Sequence, residues 1–302
     1  MIFRTDLAKE AREIDENIKG VTGKDFTFEG VSGTEIVISD SVAAEKLGKK
    51  KGRYVSFETE AVLNRNVEEY ISVSKAIGQE IKKMLSDIPK NKTVLVVGLG
   101  NEKMTADSIG PKTVKGVFVT RHIFEFLPRE ADERMKNVSA ISPGVLGVTG
   151  LESADIVSGI CKNADIGAII VVDALAARRS ERMFSTFQLT DTGIEPGAGV
   201  GNKRKGINKE TLGIPVLAIG VPTVVYASSL IYDAAVEILS LATGKDERLV
   251  ENAAKKIATK EDMVVTPKEI DVTVSDSAKI ISDGINLALH QLSLNEISAY
   301  MF

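Results

Sequence analysis

The sequence is poor in the side chains that most often hold metals or form disulfides. Among 302 residues there are one cysteine, Cys161, and two histidines, His122 and His290. A single cysteine excludes an intrachain disulfide and a cysteine-rich metal site. The H-E-x-x-H spacing of zinc proteases and the G-x-S-x-G turn of serine hydrolases are both absent. We therefore interpret both histidines as packing or surface residues, and Cys161 as a buried thiol.

The sequence also lacks an excess of either charge and any long hydrophobic run. It has 38 Lys+Arg against 42 Asp+Glu, a net charge of −4, which argues against nucleic acid as a direct partner. The apolar run at 166–172 is far below the roughly 20 residues that span a bilayer. The first 20 residues alternate charged and apolar side chains, unlike a secretory signal. These absences predict a soluble, cytoplasmic protein in a reducing compartment, without a membrane partner.

Three continuous apolar runs predict buried strands. They are Thr93–Val97, Ile166–Val172 and Ile214–Ile219, and loop-forming residues follow each. Runs without alternation are typical of strands whose two faces are both covered by helices. Segments with helical spacing lie between and around them, at 58–86, 225–241 and 277–292. The pattern predicts an α/β helix-sheet-helix sandwich with a mostly parallel sheet, and short strands or hairpins at about 20–57.

Two aspartates follow these predicted strands. Asp173 comes directly after the second run, and Asp107 follows the turn Gly98-Leu-Gly100. Lys103 stands where a dinucleotide motif needs its third glycine, so no cofactor is expected. The glycines instead allow a sharp turn that carries Asp107 over the sheet edge. Paired carboxylates can share a proton and hydrolyse a peptide, although either aspartate alone could equally be a helix cap or loop hydrogen-bond partner.

Basic residues lie close to the second aspartate and in a glycine-rich stretch. Arg178 and Arg179 follow Asp173, and Lys203, Arg204 and Lys205 lie in the long loop predicted between 190 and 209. We interpret them as substrate-binding cations on a flexible lid that faces an acidic side chain. The alternative is a solvated loop.

Several long motifs, in this order, resemble those of the spore germination proteases. They are Arg4–Ala8, Val97–Asn101 with Thr105, Asp107 and Gly110-Pro111, Ser142–Gly150, Val172–Ala176, Asp191–Asn202 and Gly220–Thr223. The resemblance covers nearly the whole chain. It implies a fold like that of the hydrogenase-maturation proteases, with Asp107 and Asp173 as the essential aspartates and no metal.

The resemblance also implies a substrate and a location. The family cleaves the small acid-soluble proteins that coat DNA in spores, which places the chain in the forespore and spore core. It further implies a homotetramer made as a self-processing zymogen.

The same resemblance predicts where the chain cuts itself. Family substrates are cut after an acidic residue, in a context like Thr-Glu-Phe/Ile-Ala-Ser-Glu, and Thr5-Asp-Leu-Ala-Lys-Glu10 is similar. We therefore expect cleavage between Asp6 and Leu7. Residues 1–6 would then be a propeptide and residues 7–302 a single protease domain. Two alternatives stay open: a nickel-dependent maturation protease, and a non-enzymatic α/β protein that binds a small ligand.

Overall fold

The strands join one mixed sheet. A computed structural model describes residues 5–14, 18–195, 205–243, 247–258 and 263–301. Its strands are β1 Val21–Phe28, β2 Val31–Ile38, β3 Gly52–Glu58, β4 Thr93–Gly98, β5 Val138–Ile141, β6 Ile166–Ala177, β7 Thr186–Thr190, β8 Val216–Tyr226 and β9 Val264–Val265. Their order is β1-β2-β3-β7-β8-β6-β4-β5, with β9 paired to β8.

Helices cover both faces of this sheet. They are α1 Ala8–Ile14, α2 Ser41–Leu47, α3 Ala61–Asn64, α4 Val67–Met84, α5 Ile109–Lys115, α6 Arg121–Phe126, α7 Leu146–Thr149, α8 Ser153–Asn163, α9 Lys209–Leu212, α10 Ala227–Thr243, α11 Glu247–Ala258, α12 Ile270–Leu289 and α13 Leu294–Tyr300. None of the described helices is long and apolar enough to cross a membrane.

The two halves of the sheet differ in strand direction. β8, β6, β4 and β5 pair in parallel. β1, β2, β3, β7 and β8 pair antiparallel. The predicted α/β class is therefore confirmed, and the predicted strands at 20–57 are confirmed as β1 to β3. The parallel pairing is confined to one half of the sheet, because β7 runs antiparallel to β8 and joins β3 to it.

The burial of alternate residues explains the unbroken apolar runs of the central strands. One set packs in a single cluster with α4 and α12, namely Val94, Val96, Ile170, Val172, Leu217 and Ile219. The other set packs against α8, namely Leu95, Val97, Ile169, Val171 and Val216. Successive strand residues point to opposite faces, so both faces must be apolar when helices cover both.

Helix α2 lies inside the β-rich portion and was not predicted. The Asp40 carboxylate caps its first turn by accepting the N–H groups of Val42 and Ala43, at 2.8 and 3.1 Å. Gly48 ends it in the left-handed conformation, with φ of 61°. The end of this short helix directs Lys49 toward the amino-terminal segment.

Candidate active site

Asp173 lies inside β6, not after it. The pairing of β6 with β4 ends at Val172, but its pairing with β8 continues to Ala177. The prediction that the strand ends before Asp173 is therefore wrong, because β8 supplies a partner beyond the point where β4 stops. The half-buried Asp173 is the first residue of β6 that has lost one of its two neighbouring strands.

Asp107 is held in a short 3-10 helix, Thr105–Asp107, that follows β4. Its Oδ2 accepts the N–H of Asn101 at 2.8 Å, and its own N–H donates to the Met104 carbonyl at 2.8 Å. The buried Thr223 hydroxyl of β8 donates to the Ala106 carbonyl at 2.7 Å. These bonds fix the loop over the sheet edge, with the Asp107 side chain half-buried.

Glycine makes this close approach possible. Gly100 has φ of 115°, and a Cβ there would lie 1.9 Å from the Asp107 carbonyl oxygen. A Cβ at Gly110 would lie 2.2 Å from the Leu99 carbonyl oxygen. The prediction that the glycines let a loop carry Asp107 over the sheet edge is confirmed.

The two aspartates interact electrostatically. Burial raises the pKa of Asp173 well above its ordinary value, and the neighbouring Asp107 carboxylate raises it further. The N–H of Ala174, 3.0 Å from Asp173 Oδ1, acts in the opposite direction, and the Asp6 carboxylate again raises the pKa. A carboxyl group under these influences favours its neutral, proton-carrying form. The Asp107 carboxylate also accepts a backbone N–H, that of Asn101.

The amino-terminal segment crosses the site. The Asp6 N–H donates to the Ala176 carbonyl at 2.9 Å, and the Asp6 carboxylate accepts the Ala176 N–H at 2.8 Å. The Gln188 side-chain amide contacts the two peptide bonds that flank Leu7. Its Nε2 donates to the Asp6 carbonyl at 3.1 Å, and its Oε1 accepts the Ala8 N–H at 2.7 Å. The expected cleavage site thus lies against β6 and β7.

Two further groups anchor this segment. The Glu10 carboxylate is 1% exposed and accepts the N–H groups of Arg178 and Arg179 at 2.7 and 2.9 Å. It also accepts the Thr5 hydroxyl. The Leu7 side chain is fully buried in the main core cluster. Residues on both sides of the Asp6–Leu7 bond are therefore fixed to the sheet.

Lys49 contributes a cation that was not predicted to lie in the site. Its Nζ donates to the Thr5 carbonyl at 2.8 Å. Burial lowers the pKa of Lys49, and the nearby Asp6 and Glu10 carboxylates oppose that shift. The Lys49 side chain extends from the end of α2 onto the amino-terminal segment. A lysine-rich run by itself gives no signal of this contact.

Each of the predicted substrate-binding cations that the structure describes lies near an acidic side chain. The Arg178 guanidinium pairs with Asp233 at 3.2 Å, and Arg179 approaches Glu181 at 3.5 Å. Lys205 pairs with Asp155 at 2.7 Å. Lys203 and Arg204 lie outside the described residues. Substrate binding by these five residues stays a prediction.

The histidines and the cysteine lie in ordinary structural environments. His290 is buried, accepts the Lys136 N–H on Nδ1 and bonds the Phe118 carbonyl through Nε2, each at 3.2 Å. Burial lowers its pKa to about 4. His122 is exposed on α6, and Cys161 is half-buried on α8, where burial raises the pKa of the thiol. Across the described ranges, no group of three or more His, Cys, Asp or Glu side chains could hold a metal ion.

The chain is similar to proteins of one family over most of its length. Residues 2–260 match the family model described as germination protease. A germination protease of Caldanaerobacter subterraneus is 41% identical, over 95% of this chain and 94% of its own. Those of Bacillus cereus and Halalkalibacterium halodurans are 38% and 36% identical, over 98% and 99% of this chain and 96% and 94% of theirs.

One solved structure is similar to part of this chain. A NiFe hydrogenase maturation protease from Thermococcus kodakarensis is 14% identical and aligns with a TM-score of 0.32. The alignment covers 59% of this chain and 96% of that protein.

Proposed function

Because the chain belongs to the germination protease family, we propose that it is an endopeptidase that starts the degradation of small acid-soluble spore proteins. We propose Asp107 and Asp173 as its catalytic pair. The observation that carries this proposal is the placement of the Asp173 carboxyl group near the Asp107 carboxylate at the edge where β4 ends, where burial and that neighbour raise the pKa of Asp173. Perturbed carboxyl pairs of this kind perform general acid and base catalysis in hydrolases.

The pair divides the work of peptide hydrolysis. The ionised Asp107 takes a proton from a water molecule, whose oxygen attacks the carbonyl carbon of the bond to be cut. The neutral Asp173 then gives its proton to the leaving nitrogen as the C–N bond breaks. The products are a new carboxyl group and a new amine, and a proton exchanged with solvent restores the pair. We base this division on Asp173 alone, because burial and the neighbouring carboxylate favour the form of Asp173 that carries a proton.

Cleavage after an acidic residue is supported by the environment of Asp6. Its carboxylate accepts the Ala176 N–H and lies beside the Lys49 ammonium. An acidic substrate side chain in the same place would meet the same two groups. Other acidic residues of the substrate would meet the proposed lid cations, Arg178 and Arg179 with Lys203, Arg204 and Lys205.

We propose that the chain is a zymogen that cuts its own Asp6–Leu7 bond. Support comes from the hydrogen bonds that hold this bond against β6 and β7. Residues 1–6 would leave as the propeptide, and residues 7–302 would remain as the protease domain. Mass spectrometry of the incubated full chain tests this, and a chain that stays intact under all conditions that activate peptide cleavage would reject it.

Assembly and location also remain proposals. We propose a homotetramer of the forespore and spore core. Sedimentation of the full chain tests the first, since a monomer at micromolar concentration would contradict it. Fractionation of sporulating cells tests the second.

The test of the catalytic pair uses the full chain and a peptide that contains Thr-Glu-Ile-Ala-Ser-Glu. The peptide is incubated, with and without chelator, with wild type, Asp107→Asn, Asp173→Asn or the exposed control Asp87→Asn. We expect cleavage after the first glutamate by wild type and the control, insensitive to chelator, and at least a thousandfold loss in both site variants.

The other outcomes support the alternatives. Cleavage that disappears with chelator and returns with nickel would favour a nickel-dependent maturation protease. No cleavage by wild type under any condition would favour a non-enzymatic ligand-binding protein.

A further inference from the structure

Gln188 of β7 occupies an unusual position for a buried polar residue. It is 5% exposed, and both atoms of its amide are used on the amino-terminal segment. Its Nε2 donates to the Asp6 carbonyl and its Oε1 accepts the Ala8 N–H, at 3.1 and 2.7 Å. One side chain therefore holds the backbone on both sides of Leu7, and it donates a hydrogen bond to the carbonyl of the Asp6–Leu7 bond.

The register of the sheet places Gln188 and Asp173 in the same row, on either side of Gly220. Gln188 pairs with Gly220 on one side of β8, and Asp173 pairs with Gly220 on the other side. Residues paired in one row of a sheet point to the same face, and two strand spacings amount to about 10 Å. The Gln188 amide and the Asp173 carboxyl group thus lie on one face, with Asp6 near both.

We propose that Gln188 is a third catalytic residue, whose amide N–H stabilises the negative charge that develops on the carbonyl oxygen of the bond being cut. This inference rests on the proposed function, because it assigns a role within the same reaction. The Gln188 amide polarises the carbonyl group, a role that neither aspartate fills.

The role fits the electron movement of the reaction. When the oxygen of water bonds to the Asp6 carbonyl carbon, the electron pair of the C=O bond moves to oxygen. The Gln188 N–H is already directed at that oxygen and needs no rearrangement. As the oxyanion collapses, the C–N bond to Leu7 breaks and the nitrogen takes the proton from Asp173. Removing one such donor in other hydrolases costs about 10²–10³ in rate.

The competing explanation is that Gln188 only docks the segment. The two explanations differ over which amide atom matters. Docking uses the Oε1 contact to Ala8 as much as the Nε2 contact, whereas catalysis needs the N–H alone. A variant that removes the Oε1 contact and leaves the N–H therefore separates them.

The experiment measures the first-order rate of Asp6–Leu7 cleavage in the full chain, by mass spectrometry. Three variants are compared with wild type: Gln188→Leu, Gln188→Glu and Ala8→Pro. Proline at residue 8 removes the N–H that Oε1 accepts, and it is tolerated at the first position of a helix. We expect a fall of about 10²–10³ for Gln188→Leu, and less than tenfold for Ala8→Pro.

Gln188→Glu tests whether a donor at residue 188 is required. While the introduced carboxyl group is ionised it has no proton to donate, so the rate should match that of Gln188→Leu. Burial raises the pKa of this group above the ordinary glutamate value of about 4.3, and as pH falls through the raised pKa the protonated acid becomes a donor. The ratio of its rate to the wild-type rate should then rise, while the ratio for Gln188→Leu stays flat.

The outcomes distinguish this inference from the function on which it rests. If wild type cuts and Gln188→Leu cuts within threefold of it at an unchanged Tm, the catalytic role is overturned and the proposed function stands. A fall in Ala8→Pro equal to that in Gln188→Leu would also overturn it, because docking alone would then account for both falls. If wild type cuts neither itself nor the peptide, the proposed function fails and the inference fails with it.

Discussion

The Lys49 ammonium donates to the carbonyl of Thr5 and lies beside the carboxylate of Asp6. A charge-assisted hydrogen bond from this ammonium to an acidic side chain in the place of Asp6 would contribute about 1.5–3 kcal/mol. Every 1.4 kcal/mol is about tenfold in a rate or binding constant. The preference for an acidic residue before the cut should therefore depend on this lysine.

We expect Lys49→Met to lower the ratio of kcat/KM for peptides with Glu and with Gln before the cut by about tenfold to a hundredfold. Lys51→Met is the matched control, because Lys51 is exposed in the same basic run. The measurement is the pair of kcat/KM values for each variant. An unchanged ratio in Lys49→Met would assign the acidic preference to another cation.

Asp173 makes stability depend on pH in the direction opposite to that of a salt-bridged aspartate. Its folded-state pKa is raised, so folding disfavours the ionised form. The cost is absent below the unfolded-state pKa, grows as pH rises through the range between the two values, and is complete above the folded-state pKa. At neutral pH, above the ordinary aspartate pKa of about 3.9, the folded protein already carries part of this cost while Asp173 keeps its proton.

Asp173→Asn should therefore stabilise the chain near neutral pH while abolishing cleavage. About 1 kcal/mol shifts Tm by roughly 2–4 °C in proteins of 150–250 residues, so a rise of a few degrees is expected. The gain should disappear near pH 3.5, where the carboxyl group of the wild type is protonated in both states. Thermal unfolding at both pH values checks this, and a lower Tm for Asp173→Asn near neutral pH would show that the carboxyl group stabilises the fold.

At the scale of elements, the loop between β4 and α5 is built around backbone contacts that only glycine allows. Gly100 adopts a positive φ, and the Asp107 carbonyl lies where its Cβ would be. A β-carbon there adds the strain of a disfavoured backbone conformation, of order 1–3 kcal/mol, to a direct clash. Either effect must move the loop that carries Asp107.

Gly100→Ala should destabilise the chain by at least about 2 kcal/mol and reduce cleavage at least a hundredfold. Gly147→Ala is the control, because nothing lies within 4 Å of a Cβ at that glycine of α7. Urea unfolding gives the stability of each variant, and the peptide assay gives its rate. Wild-type activity in Gly100→Ala would mean that the loop tolerates displacement and that Asp107 needs no fixed position.

At the scale of the whole molecule, local sequence patterns predicted the central strands and little of how they assemble. β4, β6 and β8 are apolar on both faces, and this property is visible in a run of a few residues. Strand order is different, since it depends on pairings between distant segments. The link from β3 through β7 to β8 joins the two halves, and β7 is only five residues long.

Sequence patterns likewise predicted only some residues of the candidate site. Asp107 and Asp173 follow glycine-rich or apolar segments, and the family motifs contain both. Lys49 and Gln188 belong to no recognised motif, and their contacts join residues 44 and 182 positions apart in sequence. Their roles depend on where the amino-terminal segment lies, which local spacing does not encode.

The full burial of Leu7 has a consequence for the charge of the site once its bond to Asp6 is cut. Residues 1–6 would leave with the Asp6 carboxylate, whereas Leu7 stays in the core and Glu10 stays bound to the backbone of Arg178 and Arg179, just after β6. Cleavage would thus replace a negative side chain near Asp173 with a newly made terminal ammonium group. Both changes favour the ionised form of the Asp173 carboxyl group. After cleavage, Asp173 would therefore hold its proton less tightly than before cleavage.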